Sequence, residues 1–168
     1  MTVTLCRAAA DDAATLSALA ISTYTEAFGD SYPPHDLHDF LQAHYSVAPQ
    51  RAELNDPLNA AWLLRVDDTA VGYLAAGPNG LPHPLAADGD IELKRLYVLS
   101  AHQNAGHGVR LMEAFLEWLD TPARRTLWVG VWSENLGAQR FYARHGFDQV
   151  GEYIFPVGTI HDLEFILR

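Results

Sequence analysis

The stretch that most constrains the fold is IELKRLYVLSAHQNAGHGVRLMEAFLEWL, residues 91–119. Its first part, IELKRLYVLS, predicts a strand, and the part after the loop repeats apolar residues at helical spacing. In the loop between them, Gly106 and Gly108 carry no side chain that would keep a ligand from the backbone. Free amides at a helix N-terminus attract anions, so strand, glycine loop and helix together predict a phosphate site. The helix residues predicted to face the core are Leu111, Met112, Phe115, Leu116 and Leu119.

The kind of phosphate compound is narrowed by what the loop lacks. No Gly-Lys-Ser/Thr follows the glycines, which excludes a P-loop. No acidic residue ends a following strand of a βαβ unit, which argues against a dinucleotide site. By itself, a Gly-x-Gly loop is equally consistent with a simple tight turn.

Composition limits the class of protein and its partners. The 168 residues predict a single domain over residues 1–168, and the hydrophobic fraction of 49% supplies its core. No apolar run approaches the roughly 20 residues that span a bilayer, and the N-terminus has no signal-peptide pattern, so no membrane partner is expected. The net charge of −10 argues against nucleic acid and mildly favours cationic ligands. The single cysteine, Cys6, excludes an internal disulfide and fits a cytoplasmic location; we expect it to be a buried, inert thiol.

The order of the predicted elements gives a fold class. A strand, TVTLCRAA, precedes a helix, DDAATLSALAISTYTEAF, a break at GDSYPP and two further helices. Two apolar runs joined by DDT predict a hairpin before the strand–loop–helix unit. RTLWVGVW predicts a buried strand, NLGAQRFYARH a helix that ends at Gly146, and FDQVGEYIF and IHDLEFILR two last strands. This order predicts an α/β sheet with hairpins at one end and a crossover helix in the middle.

Two sequence signatures occur in the order and spacing of one known family. The first is Gln/Arg-x-x-Gly-x-Gly/Ala, matched by Gln103, Gly106 and Gly108. The second is an Asn that opens a helix, a Tyr two turns later and a closing Gly-Phe. It is matched by Asn135, Tyr142, Gly146 and Phe147. With both signatures, the chain resembles the GNAT superfamily of acyl-CoA-dependent N-acetyltransferases.

The resemblance implies a mixed, mostly antiparallel central sheet of about seven strands, with helices on both faces and a splayed pair of parallel strands. Within the superfamily, ELKRLYV, WVGVWSENLGAQRFY and the tail FPVGTIHDLEFILR look most like the bacterial spermidine/spermine N-acetyltransferase type. Peptide N-terminal acetyltransferases of the family often carry a Glu where this chain has Gly130, which weakens that substrate class.

The resemblance also implies acetyl-CoA as the cosubstrate. Its pantetheine would pair with the backbone of the LYV strand, and the Val98 N–H would donate to the thioester oxygen. Its phosphates would lie on the amides of the loop and of the helix start. The residues expected to bind the cofactor are Leu96, Tyr97, Val98, Gln103, Asn104, Ala105, Gly106, His107, Gly108, Val109 and Asn135. No metal is expected, because the eight histidines include no tetrahedral set at typical spacing.

Two side chains carry the expected proton transfers. Tyr142 is neutral at pH 7 and would protonate the departing thiolate as a general acid; the alternative is a core aromatic residue. Asn135 lies seven residues earlier and shares its helical face. Glu92 lies six residues before Val98, on the same strand face by period-two alternation, and would act as the base through water. Alternatively, Lys94 pairs with Glu92 and makes the carboxylate structural.

The acceptor implied by the resemblance is a primary amine on a small cationic molecule such as a polyamine. Its pocket is expected around the GDSYPP break, with Phe28, Tyr32 and Glu92 as substrate-binding residues and aromatic faces for cation–π contact. Ordinary helix-end packing explains the same aromatic residues equally well. Two other functions stay open: a non-catalytic acyl-CoA-binding regulatory module, and an acetyltransferase acting on protein N-termini or lysines. The sequence also leaves a homodimer open.

Overall fold

A computed structural model of the chain describes residues 1–119 and 125–168, and its elements follow the order that the sequence predicts. The strands are β1 Val3–Arg7, β2 Ala60–Val66, β3 Thr69–Pro78, β4 Ile91–Val98, β5 Leu127–Trp132, β6 Gln149–Val157 and β7 Ile160–Leu167. The helices are α1 Ala13–Phe28, α2 Pro34–Tyr45, α3 Val47–Asn55, α4 His107–Leu119 and α5 Leu136–Arg144.

The strands form one mixed, seven-stranded sheet in the order β1-β2-β3-β4-β5-β7-β6. Within this sheet β4 and β5 run parallel, and the other neighbouring strands are antiparallel. A parallel pair needs a crossover connection, which α4 supplies between β4 and β5. The architecture confirms the fold class that the resemblance implied.

Helices cover both faces of the sheet, because the central strands carry apolar side chains on both faces and bury them. On β2, Trp62 and Leu64 pack in the same core as α4 and α5, whereas Leu63 between them packs in the core formed with α1 and α2. The alternation of side chains along a strand therefore gives the molecule two cores, one on each face of the sheet.

Two burial predictions are corrected by the structure. Leu116 of α4 is 40% exposed, because it lies at the edge of the apolar stripe that Leu111, Met112 and Phe115 bury completely. Cys6 is exposed, because β1 is an edge strand of the sheet. No helix in the described part of the chain is long and apolar enough to cross a membrane.

A β-bulge interrupts β4 at Lys94. Ala75 of β3 lies opposite Arg95, and Ala76 lies opposite Leu93, so Lys94 has no partner on β3. The bulge adds one residue to β4 and increases the local twist of the strand. It also shifts the alternation of side chains between the two faces by one residue.

This shift corrects the predicted position of Glu92. Leu93 before the bulge and Val98 after it pack in the same core, although their spacing in an unbroken strand would place them on opposite faces. Glu92 therefore lies on the opposite face from Val98, with the α1–α2 core. The prediction that the two share a face was wrong, because strand composition does not reveal a bulge.

Candidate active site

β4 and β5 separate toward their C-terminal ends, and the gap between them is the first component of the site. Their parallel pairing joins residues 91–93 to residues 127–129. Beyond that point β5 continues along β7 as far as Trp132, whereas β4 stays paired with β3 as far as Val98. Residues 96–98 consequently have β3 on one side and the gap on the other. This separation is the splayed parallel pair that the resemblance implied.

The direction of the β4 backbone groups decides what can bind in the gap. Hydrogen-bonded and non-hydrogen-bonded pairs alternate along antiparallel strands, and the Leu99 N–H donates to the Val71 carbonyl at 2.8 Å. Tyr97, two residues earlier, therefore directs its backbone groups to β3. Leu96 and Val98 direct theirs into the gap, where a ligand containing amides can pair with them like an added strand.

The loop after β4 is held close to the strand. The Gln103 Nε2 donates to the Val98 carbonyl at 3.0 Å, which joins the loop to the strand end. Asn104 and Gly106 adopt left-handed conformations, with φ of 61° and 79°. A Cβ at Gly106 would meet nothing within 4 Å, so the backbone there borders open space. The loop amides turn from this point into the N-terminus of α4.

The first two residues of α4 are packed rather than open. His107 is 5% exposed, and its Nδ1 has no hydrogen-bond partner among the described residues. Burial and the nearby Arg110 charge lower the pKa of His107, so its imidazole is neutral at pH 7. A Cβ at Gly108 would lie 3.5 Å from the Phe141 ring, an ordinary contact. Gly106 is therefore the glycine whose conformation requires the absence of a side chain.

Two cavities meet at the gap. The first, which we call the loop cavity, measures about 770 Å³ and lies between the end of β4, residues 102–109 and the start of α5. The second, the aromatic cavity, measures about 570 Å³ and lies between α1, α2 and the strands β4 to β7. The residues that line both cavities are Phe28, Leu96, Tyr97, Trp132, Asn135, Ala138 and Tyr142.

Tyr142 and Asn135 lie on α5 at this junction. Tyr142 is 6% exposed, and no described residue hydrogen-bonds its hydroxyl. Tyr142 lines both cavities. Burial raises the pKa of Tyr142 well above its usual range, which keeps the phenol neutral. The Asn135 Oδ1 accepts from the Ala138 N–H at 3.1 Å and caps the helix.

Aromatic rings from α1 and α2 form the wall of the aromatic cavity. The rings of Tyr24 and Phe28 lie 4.7 Å apart, and those of Tyr24 and Phe40 lie 5.0 Å apart. The Tyr32 hydroxyl donates to the carboxylate of Asp162 on β7. The break between α1 and α2, predicted to border the acceptor pocket, therefore does line a cavity.

A buried cation at the base of this cavity is already neutralised. Arg95 of β4 lies 2.6 Å from the Glu53 carboxylate of α3, and its guanidinium is 5.2 Å from the centre of the Tyr45 ring. These neighbours raise the pKa of Arg95 above its already high ordinary value, so it stays charged. Because Glu53 balances that charge, the other carboxylates in the cavity remain free to attract a cation.

Glu92 lines the aromatic cavity, and its carboxylate is hydrogen-bonded by the main chain. Its Oε1 accepts from the Gly80 N–H at 3.0 Å, which holds the segment after β3 against β4. Burial raises the pKa of Glu92, and the Gly80 amide opposes this rise because it favours the charged form. Lys94 lies nearby without an ion pair to Glu92 in the part of the chain that the structure describes.

Glu164 of β7 is a second carboxylate in the aromatic cavity, and sequence reasoning missed it. It lies opposite Trp132 of β5 and opposite Tyr153 of β6. Burial, helped by the Asp162 charge, raises its pKa to about 7. The available signal was the pair of acids at alternate positions of IHDLEFILR, which lie on one face of the last strand.

The predicted site residues thus separate into two groups. Those expected to bind the cofactor line the loop cavity, apart from Ala105, which belongs to the loop but not to the lining. Phe28, Tyr32 and Glu92, expected to bind the substrate, line the aromatic cavity. In residues 1–119 and 125–168, no cluster of three His, Cys, Asp or Glu could hold a metal ion.

Comparison with known proteins agrees with this geometry. The family model described as the acetyltransferase (GNAT) family matches residues 18–147. The chain belongs to this family. An uncharacterized N-acetyltransferase of Mycobacterium tuberculosis is 32% identical over 158 residues, which cover 93% of this chain and 96% of that protein. The protein described here is therefore a GNAT-family N-acetyltransferase.

Two further proteins are similar to the chain over most of their length. An uncharacterized N-acetyltransferase of Lactobacillus delbrueckii subsp. lactis is 27% identical over 90% of this chain and 87% of its own. The crystal structure of the PaiA N-acetyltransferase of Thermoplasma acidophilum, in complex with coenzyme A, superimposes with a TM-score of 0.78. It is 16% identical and covers 99% of this chain and 98% of its own, which shows a shared fold.

Proposed function

We propose that this GNAT-family enzyme transfers the acetyl group of acetyl-CoA to a primary amine of a small cationic molecule by direct attack. The observation that carries this function is the meeting of two cavities at Tyr142, one beside the glycine loop and one lined by aromatic and acidic residues. Two substrates that enter from different cavities can react at the junction without a covalent enzyme intermediate.

The loop cavity fits acetyl-CoA. The Leu96 and Val98 backbone groups directed into the gap would pair with the pantetheine amides. The amides around Gly106 and the N-terminus of α4 would hold the phosphates with their positive dipole ends. One arginine, Arg144 of α5, also lines the loop cavity and would add its charge, whereas Arg110 is exposed on α4. A phosphate site built mainly from amides is consistent with the chain's negative charge.

The bound thioester supplies the activated acetyl group, and two protein groups would act on it. The Val98 N–H would donate to the carbonyl oxygen as negative charge develops there; loss of one such donor typically costs about 3–4 kcal/mol. Tyr142 would give its proton to the departing sulfur. Holding amine and thioester together at the junction would supply on the order of 7–11 kcal/mol of the rate enhancement.

The aromatic cavity fits an ammonium group better than an anion. Arg95 is balanced by Glu53, and the remaining charged side chains of the lining are two acids, Glu92 and Glu164, and one cation, Lys94. The rings of Tyr24 and its neighbours offer faces for cation–π contact, worth roughly 0.5–2 kcal/mol each. These features support a polyamine or a similar cationic amine, in line with the resemblance to the bacterial spermidine/spermine type.

The geometry around Gly130 disfavours the protein N-terminal alternative. A Cβ at Gly130 would lie 3.1 Å from the Tyr153 hydroxyl and 3.2 Å from Leu81. The Glu that N-terminal acetyltransferases often carry at this place would therefore have to displace Tyr153. A non-catalytic acyl-CoA module is disfavoured as well, because binding alone gives no reason for a free phenol at the junction.

A screen of acceptors with released thiol as the readout tests this function. Purified protein is mixed with acetyl-CoA and a panel containing polyamines, simple diamines, aminoglycosides, free amino acids and lysine peptides. We expect diamines or polyamines to release thiol fastest, with kcat/KM at least tenfold above that for anionic amino acids. Acetylation of lysine peptides alone would contradict the proposed substrate class, and no thiol release with any amine would contradict the enzyme function.

A further inference from the structure

The carboxylates near the reaction junction differ in what they contact. Glu53 is committed to Arg95 at 2.6 Å, and Asp162 accepts the hydrogen bond of the Tyr32 hydroxyl. A carboxylate in an ion pair or under a donated hydrogen bond has its charge stabilised and is a weaker base. These two acids therefore hold the cavity wall rather than take up protons.

Glu92 and Glu164 both line the aromatic cavity, and they differ in the contacts that their carboxylates make. The Gly80 N–H donates to the Glu92 Oε1 at 3.0 Å, and this bond favours the charged form of the carboxylate, as do the Lys94 and Arg95 charges. Glu164 receives no hydrogen bond and forms no ion pair within the described residues. Among the described residues, Glu164 is the one of the two that has no contact favouring its charged form.

The position of Glu164 relative to the junction follows from strand register. Its partner across β5 is Trp132, and Trp132 lines both the loop cavity and the aromatic cavity. Trp132 is the last residue of β5, and the turn that contains Asn135 leads from it into α5. Glu164 therefore lies beside a residue of the junction, in the cavity from which the amine would enter.

We infer that Glu164 is the base that takes the proton from the acceptor's ammonium group, and that Glu92 is a structural clamp on Gly80. This role depends on the proposed acetyl transfer to an amine. The ammonium gives one proton to Glu164, which passes it to solvent. The freed nitrogen lone pair forms the C–N bond while the C–S bond breaks toward sulfur. The second nitrogen proton replaces the one that Tyr142 donates to sulfur, so the net release is one proton.

The electrostatic surroundings of Glu164 support this role. Burial and Asp162 on its own strand raise its pKa to about 7, which is where a general base is most effective at neutral pH. The other titratable groups that face the cavity are Tyr24, Tyr32, His44, Tyr45, Glu53, Glu92, Lys94, Arg95, Tyr97, Tyr142 and Tyr153.

The test uses amines of different basicity. The best amine from the acceptor screen and a fluorinated analogue of it, which is less basic, are assayed from pH 5.5 to 9 with saturating acetyl-CoA. For the wild type we expect kcat/KM to fall tenfold per pH unit below about pH 7 with either amine, because the group that titrates belongs to the enzyme.

Glu164→Gln removes that group. Its kcat/KM near pH 7 should fall roughly 10²–10⁴-fold with the basic amine, the usual scale for a lost general base. Its acid limb should move to the pKa of whichever amine is used, since only the neutral amine can then react. The fluorinated amine should consequently lose much less rate than the basic one. Glu152→Gln, an exposed acid on β6, is the matched control and should behave like the wild type.

Three results would overturn the assignment. One is a Glu164→Gln enzyme whose kcat/KM still falls below about pH 7, as in the wild type. Another is a Glu92→Gln enzyme in which that fall of kcat/KM disappears. If Glu164→Gln fails to fold, Glu164→Asp takes its place. This variant should keep the limb near pH 7 at reduced kcat, and a limb that follows the amine would again contradict the role. If the wild type acetylates no amine, the proposed function is wrong and so is the role of Glu164. The wild-type assay alone separates this outcome from one in which the enzyme is active but Glu164 is not its base.

Discussion

At the scale of single residues, the Tyr142 hydroxyl is where catalysis and packing can be separated. Tyr142→Phe keeps the buried ring and removes a hydroxyl that no described residue hydrogen-bonds. The melting temperature should therefore hold. If the hydroxyl protonates the leaving sulfur, kcat should fall about 10²–10³-fold. Acetyl-CoA affinity should change little, because the proton is transferred in the transition state. Steady-state kinetics, calorimetric titration and thermal melting measure the three quantities.

Tyr73→Phe is the matched control for this experiment. Its hydroxyl is also buried without a partner among the described residues, but Tyr73 lines neither cavity. We expect unchanged kcat and an equal or slightly higher melting temperature. Near-normal kcat in Tyr142→Phe would make Tyr142 a packing residue. A loss of acetyl-CoA affinity with unchanged kcat would make it a cofactor-binding residue.

The raised pKa of Glu164 also predicts how stability depends on pH. Its pKa rises from an ordinary 4.5 to about 7, so the folded protein holds more protons than the unfolded chain between those values. The free energy of unfolding therefore falls as pH rises through that window. Glu164→Gln removes the cost of ionising a buried carboxylate. Above pH 7 this cost is on the order of 3 kcal/mol, since each unit of pKa shift corresponds to about 1.36 kcal/mol.

Chemical denaturation at pH 4.5 and pH 8 measures this effect. Glu164→Gln should match the wild type within about 1 kcal/mol at the lower pH and exceed its stability at the higher pH. Glu152→Gln should show no such gain. If Glu164→Gln gains equally at both values, the advantage comes from packing rather than from ionisation. A gain that grows with pH would mean that the enzyme gives up stability to keep a base of this strength.

Sequence reasoning reached some of these residues more easily than others. Tyr142 and Asn135 lie on one helix, where spacing along the chain determines which residues share a face. Glu92 was placed on the wrong face, because the bulge at Lys94 depends on how β4 pairs with β3. Glu164 reaches the site through its register with Trp132, a contact between distant parts of the chain that composition does not encode.

At the scale of elements, the loop between β4 and α4 contains two glycines with different requirements. Gly106 has φ of 79°, so Gly106→Ala should cost roughly 1–2 kcal/mol of backbone strain. If the strain is relieved by moving the loop amides, acetyl-CoA affinity should fall about tenfold, since 1.4 kcal/mol is a factor of ten. Thermal melting and calorimetric titration measure the two losses.

Gly108→Ala is the control for this loop. Its Cβ would make an ordinary 3.5 Å contact with Phe141, and alanine is favoured over glycine inside a helix by up to about 1 kcal/mol. We therefore expect equal or higher stability and nearly unchanged affinity. If Gly108→Ala weakens binding more than Gly106→Ala does, the ligand approaches the helix rather than the loop, and the position assigned to the phosphates is wrong.

The elements themselves were predicted well because their signals are local. Pro34 starts α2, Asn135 caps α5, and Gly146 follows the end of α5 with φ of 87°. Such residues specify chain direction within a few positions, whatever the rest of the molecule does. The exposure of Leu116 and Cys6 was missed, because it depends on what packs against a helix edge or an outer strand.

At the scale of the whole molecule, the site depends on the order of the last two strands in the sheet. The last hairpin joins the sheet through its second strand, β7, and not through β6. β7 inserts between β5 and β6, which brings Glu164 into the lining of the aromatic cavity and Asp162 to the Tyr32 hydroxyl. The Asp36 carboxylate of α2 accepts from the Thr159 N–H at 3.0 Å, so the hairpin turn is fastened to the same helix. No local pattern predicts this order.

Because the loop cavity is built from β4, α4 and α5 together, a ligand there should stabilise the whole fold. Acetyl-CoA binds only the folded chain, so at 100 times its Kd it should add about 2.7 kcal/mol to the free energy of unfolding. At roughly 2–4 °C per kcal/mol for a chain of this size, the melting temperature should rise by about 5–10 °C. CoA should act similarly, since the loop would hold its phosphates, and adenosine should not. No shift at millimolar acetyl-CoA would contradict the assignment of the loop cavity, whereas an equal shift with adenosine would place recognition on the base rather than on the phosphates and pantetheine.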